Sequence, residues 1–392
     1  VGCSRKPNTN GDGGIHRAAC SIRDFVLAIA VSAGLILSAP FIGQIRYDIS
    51  ARFPGHFVLI IGSVIAISVG GALTLAVFRI RDRRAPRFAA IGGALALAVA
   101  YALWTAKPDP QVNAVERFHF VQYGLVTLLF YRAWRPLGDG GRLLLPVVAA
   151  LTVAVIEEWF QWFIPGRVGA LEDVLLNWAA ILCGLLFSLG LDPPPRVTLR
   201  MASRSRVQLG ITTAGAIVVF GMFFDSVHLG HEIRDQEAGT FTSIYTAPQL
   251  IFHAEDREAR WRTDPPIDRT RLAREDQYRS EGIQHVRRRN EAWAAGDVRA
   301  LWCENRILEI YYTPVLDTGH RWPPEQRADA AQRFAALQTP AIAATPYVSA
   351  AYPYTVFTWP AWKFWSAMLT VSAIVMVAAF PLSIVDCRLQ IG

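Results

Sequence analysis

Apolar residues in this chain gather into blocks of about 20, the length at which a helix rising roughly 1.5 Å per residue crosses the hydrocarbon core of a bilayer. The blocks run over residues 24–43, 57–78, 87–105, 118–134, 143–164, 171–191, 207–229 and 361–385. Short polar connections separate them, except before the last, where residues 230–360 form a long insert of different composition. The fourth block, FHFVQYGLVTLLFYRAW, is short and carries His119 and Gln122. If it did not span, every later orientation would invert. The pattern predicts an all-α polytopic membrane protein with about eight transmembrane helices and a mostly helical extracytoplasmic domain between the last two.

The positions of Arg and Lys orient this arrangement, because basic residues of short loops stay on the cytoplasmic side. With the N-terminus inside, the cytoplasmic segments hold Arg5, Lys6, Arg17 and Arg23, then Arg79, Arg81, Arg83, Arg84 and Arg87, then Arg132, Arg135 and Arg142, then Arg196, Arg200, Arg204 and Arg206. The opposite short loops hold only Arg46, Arg52, Lys107, Arg117 and Arg167. That imbalance predicts an even number of spans and both termini in the cytoplasm. The expected organisation is then a cytoplasmic tail at 1–23, two transmembrane helices in 24–86, a four-helix module at 87–191, a basic loop and seventh helix in 192–229, the outer domain at 230–360, and the last helix with a short cytoplasmic end in 361–392. Small residues Gly62, Ala66 and Gly70 recur at helical spacing in the second helix, where they would admit a neighbouring helix.

A net charge of +7 raises the question of nucleic acid, but the excess is not in the insert, where 16 Arg face 18 Asp plus Glu between His231 and Ala361. The basic surplus belongs to the membrane half, where it orients helices, so no nucleic-acid partner is expected. Cys3, Cys20 and Cys387 fall on the cytoplasmic side and Cys183 within a span, leaving only Cys303 outside, so the outer domain forms no internal disulfide. Its middle reads as two helices broken near Gly296 and Asp297, with Leu301, Trp302, Ile307, Leu308 and Tyr311 forming an apolar stripe. The expected result is a small helical core lying on the membrane surface. Glu281, His285 and the run Arg287, Arg288 and Arg289 read most simply as a solvated helix face, with headgroup or partner contact as the alternative. Trp359, Trp362 and Trp365 would anchor the start of the last span at the interface.

Polar residues inside spans cost about 2.5 to 3.5 kcal/mol each when charged, so each requires a reason. Here they cluster at one end of three consecutive helices. His119 and Tyr123 lie four apart on the fourth helix, Glu157 and Gln161 four apart on the fifth, and Asp173 and Asn177 four apart on the sixth, with Glu116, Arg117, Glu158 and Arg167 close by. Each pair shares one helix face. Glu157 and Asn177 would sit roughly 10 Å below the outer interface, in a shared polar pocket open to the outside.

The runs ERFHFVQYG and EEWFQWFIPGRVGALEDVLLNWAAILCG resemble the VanZ-like family of bacterial membrane proteins. That family joins a basic residue and His before one helix to Glu-x-x-x-Gln, Pro-x-Arg, Asp and Asn-x-x-Gly. Arg117 stands near the basic position, His119 and Tyr123 match the next, and Glu157, Gln161, Pro165, Arg167, Asp173 and Asn177 match the rest. The chain departs from the pattern with Ala180 where Gly is common, although Gly184 is present, and with Arg rather than Lys at 117. The resemblance covers residues 88–191 and implies work in the bacterial envelope at the cytoplasmic (inner) membrane. The namesake is linked to low-level teicoplanin resistance, and no mechanism comes with it.

Three uses of the pocket stay open at this level. The groups could bond one another and fix packing. They could bind membrane lipids or a lipid-linked envelope precursor, with Arg167 holding an anionic group, Glu157 and Asp173 accepting hydrogen bonds and His119 responding to pH. They could also catalyse, with His119 as base, although no nucleophile accompanies it. His119, Glu157 and Asp173 suit a divalent ion in type but lack a second His or a Cys nearby, and His228, His231 and Glu232 read as solvated. No metal is therefore expected. No Walker loop, dinucleotide fingerprint, CxxC, CxxCH or GxSxG motif occurs, and no cofactor is expected. A protein partner of residues 230–360, in an accessory or assembly role, is the remaining alternative.

Overall fold

The computed structural model describes residues 12–164, 169–194, 198, 201–261, 275–335, 347–349, 351 and 355–380. The chain divides into two compact units. The first contains α1 (Asp12–Arg52), α2 (Phe57–Arg79), α3 (Arg84–Trp104), α4 (Pro110–Ala133), most of α5 (Gly141–Trp162), α6 (Leu171–Leu191), most of α7 (Ser203–Val227) and most of the final helix, α13 (Ala361–Ala379). Seven of these are long and apolar enough to cross a bilayer, α1 counting from Ile22. The protein is a multi-pass membrane protein.

Helix α4 falls outside those seven because Glu116, Arg117 and Arg132 lower its apolarity. It is nevertheless 24 residues long, about 36 Å, and begins eight positions before the apolar block that foreshadowed it. The early start is local chemistry. Asp109 caps it by accepting the Gln111 amide at 2.8 Å, and Pro110 occupies the first helical position, where its missing N–H costs nothing. Helix α4 packs on α1, α2 and α6, so most of its polar groups meet protein rather than lipid.

Helix α6 is the other centre of the unit, against both α3 and α4. Inside lipid the hydrophobic effect does not draw helices together, and close backbone approach takes its place. A side-chain carbon added at Gly184 would lie 2.8 Å from the Cα of Gly124 in α4, and one at Gly190 would lie 2.7 Å from the carbonyl oxygen of Arg87 in α3. The Arg87 guanidinium returns the contact by donating to the carbonyls of Gly190 and Leu191. Around the α4–α6 contact, Tyr123, Val126, Leu129 and Phe130 pack with Ala150, Val153 and Ala154 of α5, Ala180 and Ile181 of α6 and Ala28 of α1.

Two expectations for this unit are corrected. The segment read as an N-terminal tail is helical from Asp12, and α1 continues past Pro40 to Arg52. The Gly62, Ala66 and Gly70 stripe admits no neighbour among the described residues, since nothing lies within 4 Å of a carbon added at Gly62 or Gly70 and all three residues are exposed. Helix α2 instead suits a lipid-facing position, with Ser63, Ser68 and Thr74 donating to carbonyls one turn back so that no hydroxyl is left for hydrocarbon.

The second unit is mostly helical, as expected, but opens with a hairpin that periodicity did not reveal. Strand β1 (His231–Asp235) pairs antiparallel with β2 (Gly239–Ser243), His231 opposite Ser243. Asp235 closes the turn by accepting the amides of Glu237 and Ala238, and Gly239 takes a φ of 85°. Then follow α8 (Ala247–Trp261), α9 (Glu275–Ala295), α10 (Val298–Tyr311), α11 (Thr313–Asp317) and α12 (Pro324–Ala335). The break between α9 and α10 falls where expected, with Gly296 at φ 70° and Asp297 capping α10 through the Ala300 amide. Leu301, Ile307, Leu308 and Tyr311 are buried, while Trp302 is only half-buried and edges against Phe334.

Candidate functional site

In the membrane unit, two of the three helices that carry the expected polar pairs meet through hydrogen bonds with α4. The His119 ring donates from Nδ1 to Oδ1 of Asn177 at 2.7 Å, joining α4 to α6. One turn deeper, the Tyr123 hydroxyl donates to Oε2 of Glu157 at 2.8 Å, joining α4 to α5. The two rings on α4 stack, centroids 6.1 Å apart, as their spacing of four requires. Below them, the Thr127 hydroxyl donates to the Tyr123 carbonyl.

The pairing fixes the chemistry of His119. Because Nδ1 meets a carbonyl oxygen it carries the proton, so in the neutral ring Nε2 holds the lone pair. Asn177 is fully buried, and with Oδ1 committed to His119 its Nδ2 donors find no partner among the described residues. A buried amide donor without an acceptor costs about 1 to 3 kcal/mol, a deficit that a bound oxygen atom would remove. Tyr123 and Glu157 are buried as well, and Glu158 is 1% exposed.

Asp173 is half-buried one turn before Asn177, in the field of His119, Lys107, Glu116 and Glu157. The basic residue at this end is one that sequence reasoning did not select. Lys107, in the α3–α4 connection, pairs with Oε1 of Glu116 at 2.6 Å, and Asn113 ties down the Lys107 backbone from both sides. The Asn-Ala-Val-Glu run at the start of α4 was the available signal, since it sets Asn113 and Glu116 three apart on the face toward that connection. Arg117 does not join. It is exposed, two positions from His119 and thus on another side of α4, beside a narrow crevice shared with Glu116, Phe120, Thr105 and Leu176. Gln161 is buried at the end of α5, within the second unit. Pro165 and Arg167 lie outside the described residues.

The second unit holds a polar network that sequence reasoning took for a solvated face. Glu281 and His285 are each 2% exposed. Glu281 accepts from the Ser243 hydroxyl (2.6 Å), the Tyr312 hydroxyl (2.8 Å) and the Ile244 amide (3.1 Å), which ties α9 to β2 and to the junction of α10 and α11. His285 Nδ1 lies 2.7 Å from Oε2 of the fully buried Glu304, whose Oε1 accepts from the hydroxyls of Tyr347 (2.5 Å) and Ser349 (2.6 Å). Burial drives the Glu281 carboxyl up to about 7, against the pull of its three donors and His285. Burial acts upward on Glu304 too, but the bond and charge of His285 and the two hydroxyls outweigh it and leave Glu304 below the ordinary carboxylate range. Of the Arg run, Arg287 is exposed, whereas Arg289 is buried over the Trp322 ring and donates to the His320 carbonyl. The carboxylates went inside because β2 and residues 347–349 bring hydroxyls and amides to meet them, which helical spacing within 275–311 cannot show.

Of His228 and His231, both expected to be solvated, only His231 is. Helix α7 ends at Val227, His228 is buried with its ring bonded to the Thr355 carbonyl, and His231 is exposed at the start of β1. Among the described residues no three His, Cys, Asp or Glu side chains are grouped to hold a metal ion. The chain matches no family model, no curated protein and no solved structure.

Proposed function

We propose that this protein is a VanZ-like membrane protein of the bacterial envelope that binds the polar head of an amphiphilic or lipid-linked envelope component between α4, α5 and α6. The observation that carries the reading is the Asn177 amide, fully buried, with donors that have no partner among the described residues, and held in place by His119. An oxygen-rich headgroup supplies the acceptor those donors lack. Lys107 would provide positive charge at the mouth, and the asymmetry of Arg and Lys favours a mouth on the extracytoplasmic side with both termini in the cytoplasm.

The test separates binding from packing. Replacing both members of a buried hydrogen-bonded pair by apolar groups of similar shape is close to neutral for stability, whereas it removes a polar site altogether. The double substitution His119→Phe with Asn177→Leu is therefore expected to leave the melting temperature of the purified full chain within a few degrees of wild type. It is also expected to abolish the thermal shift that a bacterial polar lipid extract produces in wild type. A wild-type protein with no shift, or a double variant that shifts as wild type does, removes the proposal.

A further inference from the structure

The hairpin of the second unit rises from the end of α7 and returns to it. A side-chain carbon added at Gly230, three residues past the end of α7, would collide with the carbonyl oxygen of Ser243 at the end of β2. Beside it, Gly230 donates its amide to the Phe357 carbonyl and Phe357 donates to the His228 carbonyl, just before α13 begins at Ala361. Helix α8 therefore starts, at Ala247, four residues past a strand end that lies beside the end of α7 and the segment leading into α13. Its second turn, at about 1.5 Å per residue, is no more than about 10 Å along from that start.

The first two turns of α8 are two-faced. Leu250 is fully buried toward the unit, while Ile251 and Phe252 are 43% and 64% exposed. One and two turns on, the same outer side carries Glu255 and Glu258, both exposed. At the start of α13, Trp359 and Trp362 are 62% and 68% exposed, the ring type that settles at headgroup depth. Single exposed apolar residues need no explanation. An adjacent Ile and Phe in the second turn of a helix that starts close to where two long apolar helices end and begin do.

We propose that the first two turns of α8 dip Ile251 and Phe252 into the bilayer surface and so seat the second unit on lipid, the acidic later turns remaining in water. The exposed charges described on α8 are acidic, so apolar burial rather than attraction to anionic lipid supplies the affinity. A protein partner on the same patch would require a complementary surface, and the ends of α7 and α13 already put lipid there.

The experiment places a benzophenone amino acid at Phe252 of the full chain, reconstituted in nanodiscs of zwitterionic phosphatidylcholine, with the same probe at exposed Glu325 of α12 as reference. Ile251 serves as the second probe position if the first is poorly produced. Irradiation is expected to give several-fold more lipid adduct at 252 or 251 than at 325, by mass spectrometry, with no increase when anionic lipid is added. Equal adduct at both sites, adduct to a second polypeptide, or adduct that appears only with anionic lipid overturns the proposal.

Discussion

Glu281→Gln should change how the second unit responds to pH, and the size of the change follows from burial. A carboxyl moved from an ordinary 4.5 to about 7 by burial corresponds to about 3 kcal/mol, at about 1.4 kcal/mol per tenfold change in proton affinity. The sign is set by which state holds the proton. Below pH 4.5 folded and unfolded chains both keep it; between 4.5 and 7 the unfolded chain releases it while the folded one retains it. Stability from this group is thus complete in acid and is lost as pH rises toward 7, with nothing further lost above. Hydrogen exchange of the β2 amides and of Ile244, corrected for the intrinsic rate at each pH, should show protection declining from pH 5 to 8 in wild type. An amide side chain cannot ionise, so the variant should flatten that decline. Wild-type protection that stays level across the range, or a variant with the same slope, would refute the reasoning.

Other substitutions test the remaining supports. Glu304→Gln should weaken the link to Tyr347 and Ser349 chiefly above the ordinary carboxylate range, because a carboxyl held low stabilises only once ionised and loses its contribution as pH falls; limited proteolysis near residue 349 at pH 7 would register it. Gly184→Val should force α6 from α4 at the 2.8 Å contact and lower the melting temperature by an amount equivalent to about 1 to 3 kcal/mol, seen in a detergent thermal melt. Asp109→Ala should remove the α4 cap at a cost of about 1 kcal/mol, a drop of a few degrees in the same assay. Single cysteines at Asp109 and Arg135 in a background without the native thiols should label from opposite sides with an impermeant maleimide, and same-side labelling would mean that α4 does not cross.

The helices of the membrane unit were legible because bilayer thickness writes itself into the length of apolar blocks, and α2, α3 and α6 end within a few residues of those blocks. Ends set by other physics were not. Helix α4 starts at its Asp-Pro cap and α1 runs on through polar residues beyond any hydrocarbon. Spacing of four placed His119 with Tyr123 on one face, and the bonds to Asn177 and Glu157 follow from that face. Lys107 escaped because it stands in a connection, where no period marks which side chains fold back. In the second unit, charge was a poor guide to exposure. Glu281, His285 and Glu304 are buried by partners from β2, Tyr312 and residues 347–349, far away in sequence.

The two polar networks differ in a way that assigns them different tasks. In the second unit each buried carboxyl receives three donors, and the Ser243 hydroxyl that serves Glu281 also accepts the Tyr245 amide. A network whose carboxyls already hold three donors each acts as a clamp, joining strand, helices and a distant segment by bonds that strengthen in a low dielectric. In the membrane unit Asn177 is equally buried but its donors are unpartnered among the described residues. If these groups served only to fix packing, an apolar side chain of the same shape would hold α4 against α6 at lower cost. On the proposed reading, the donors of Asn177 that have no partner among the described residues, beside His119 and Asp173, are met by an acceptor that arrives from outside the chain.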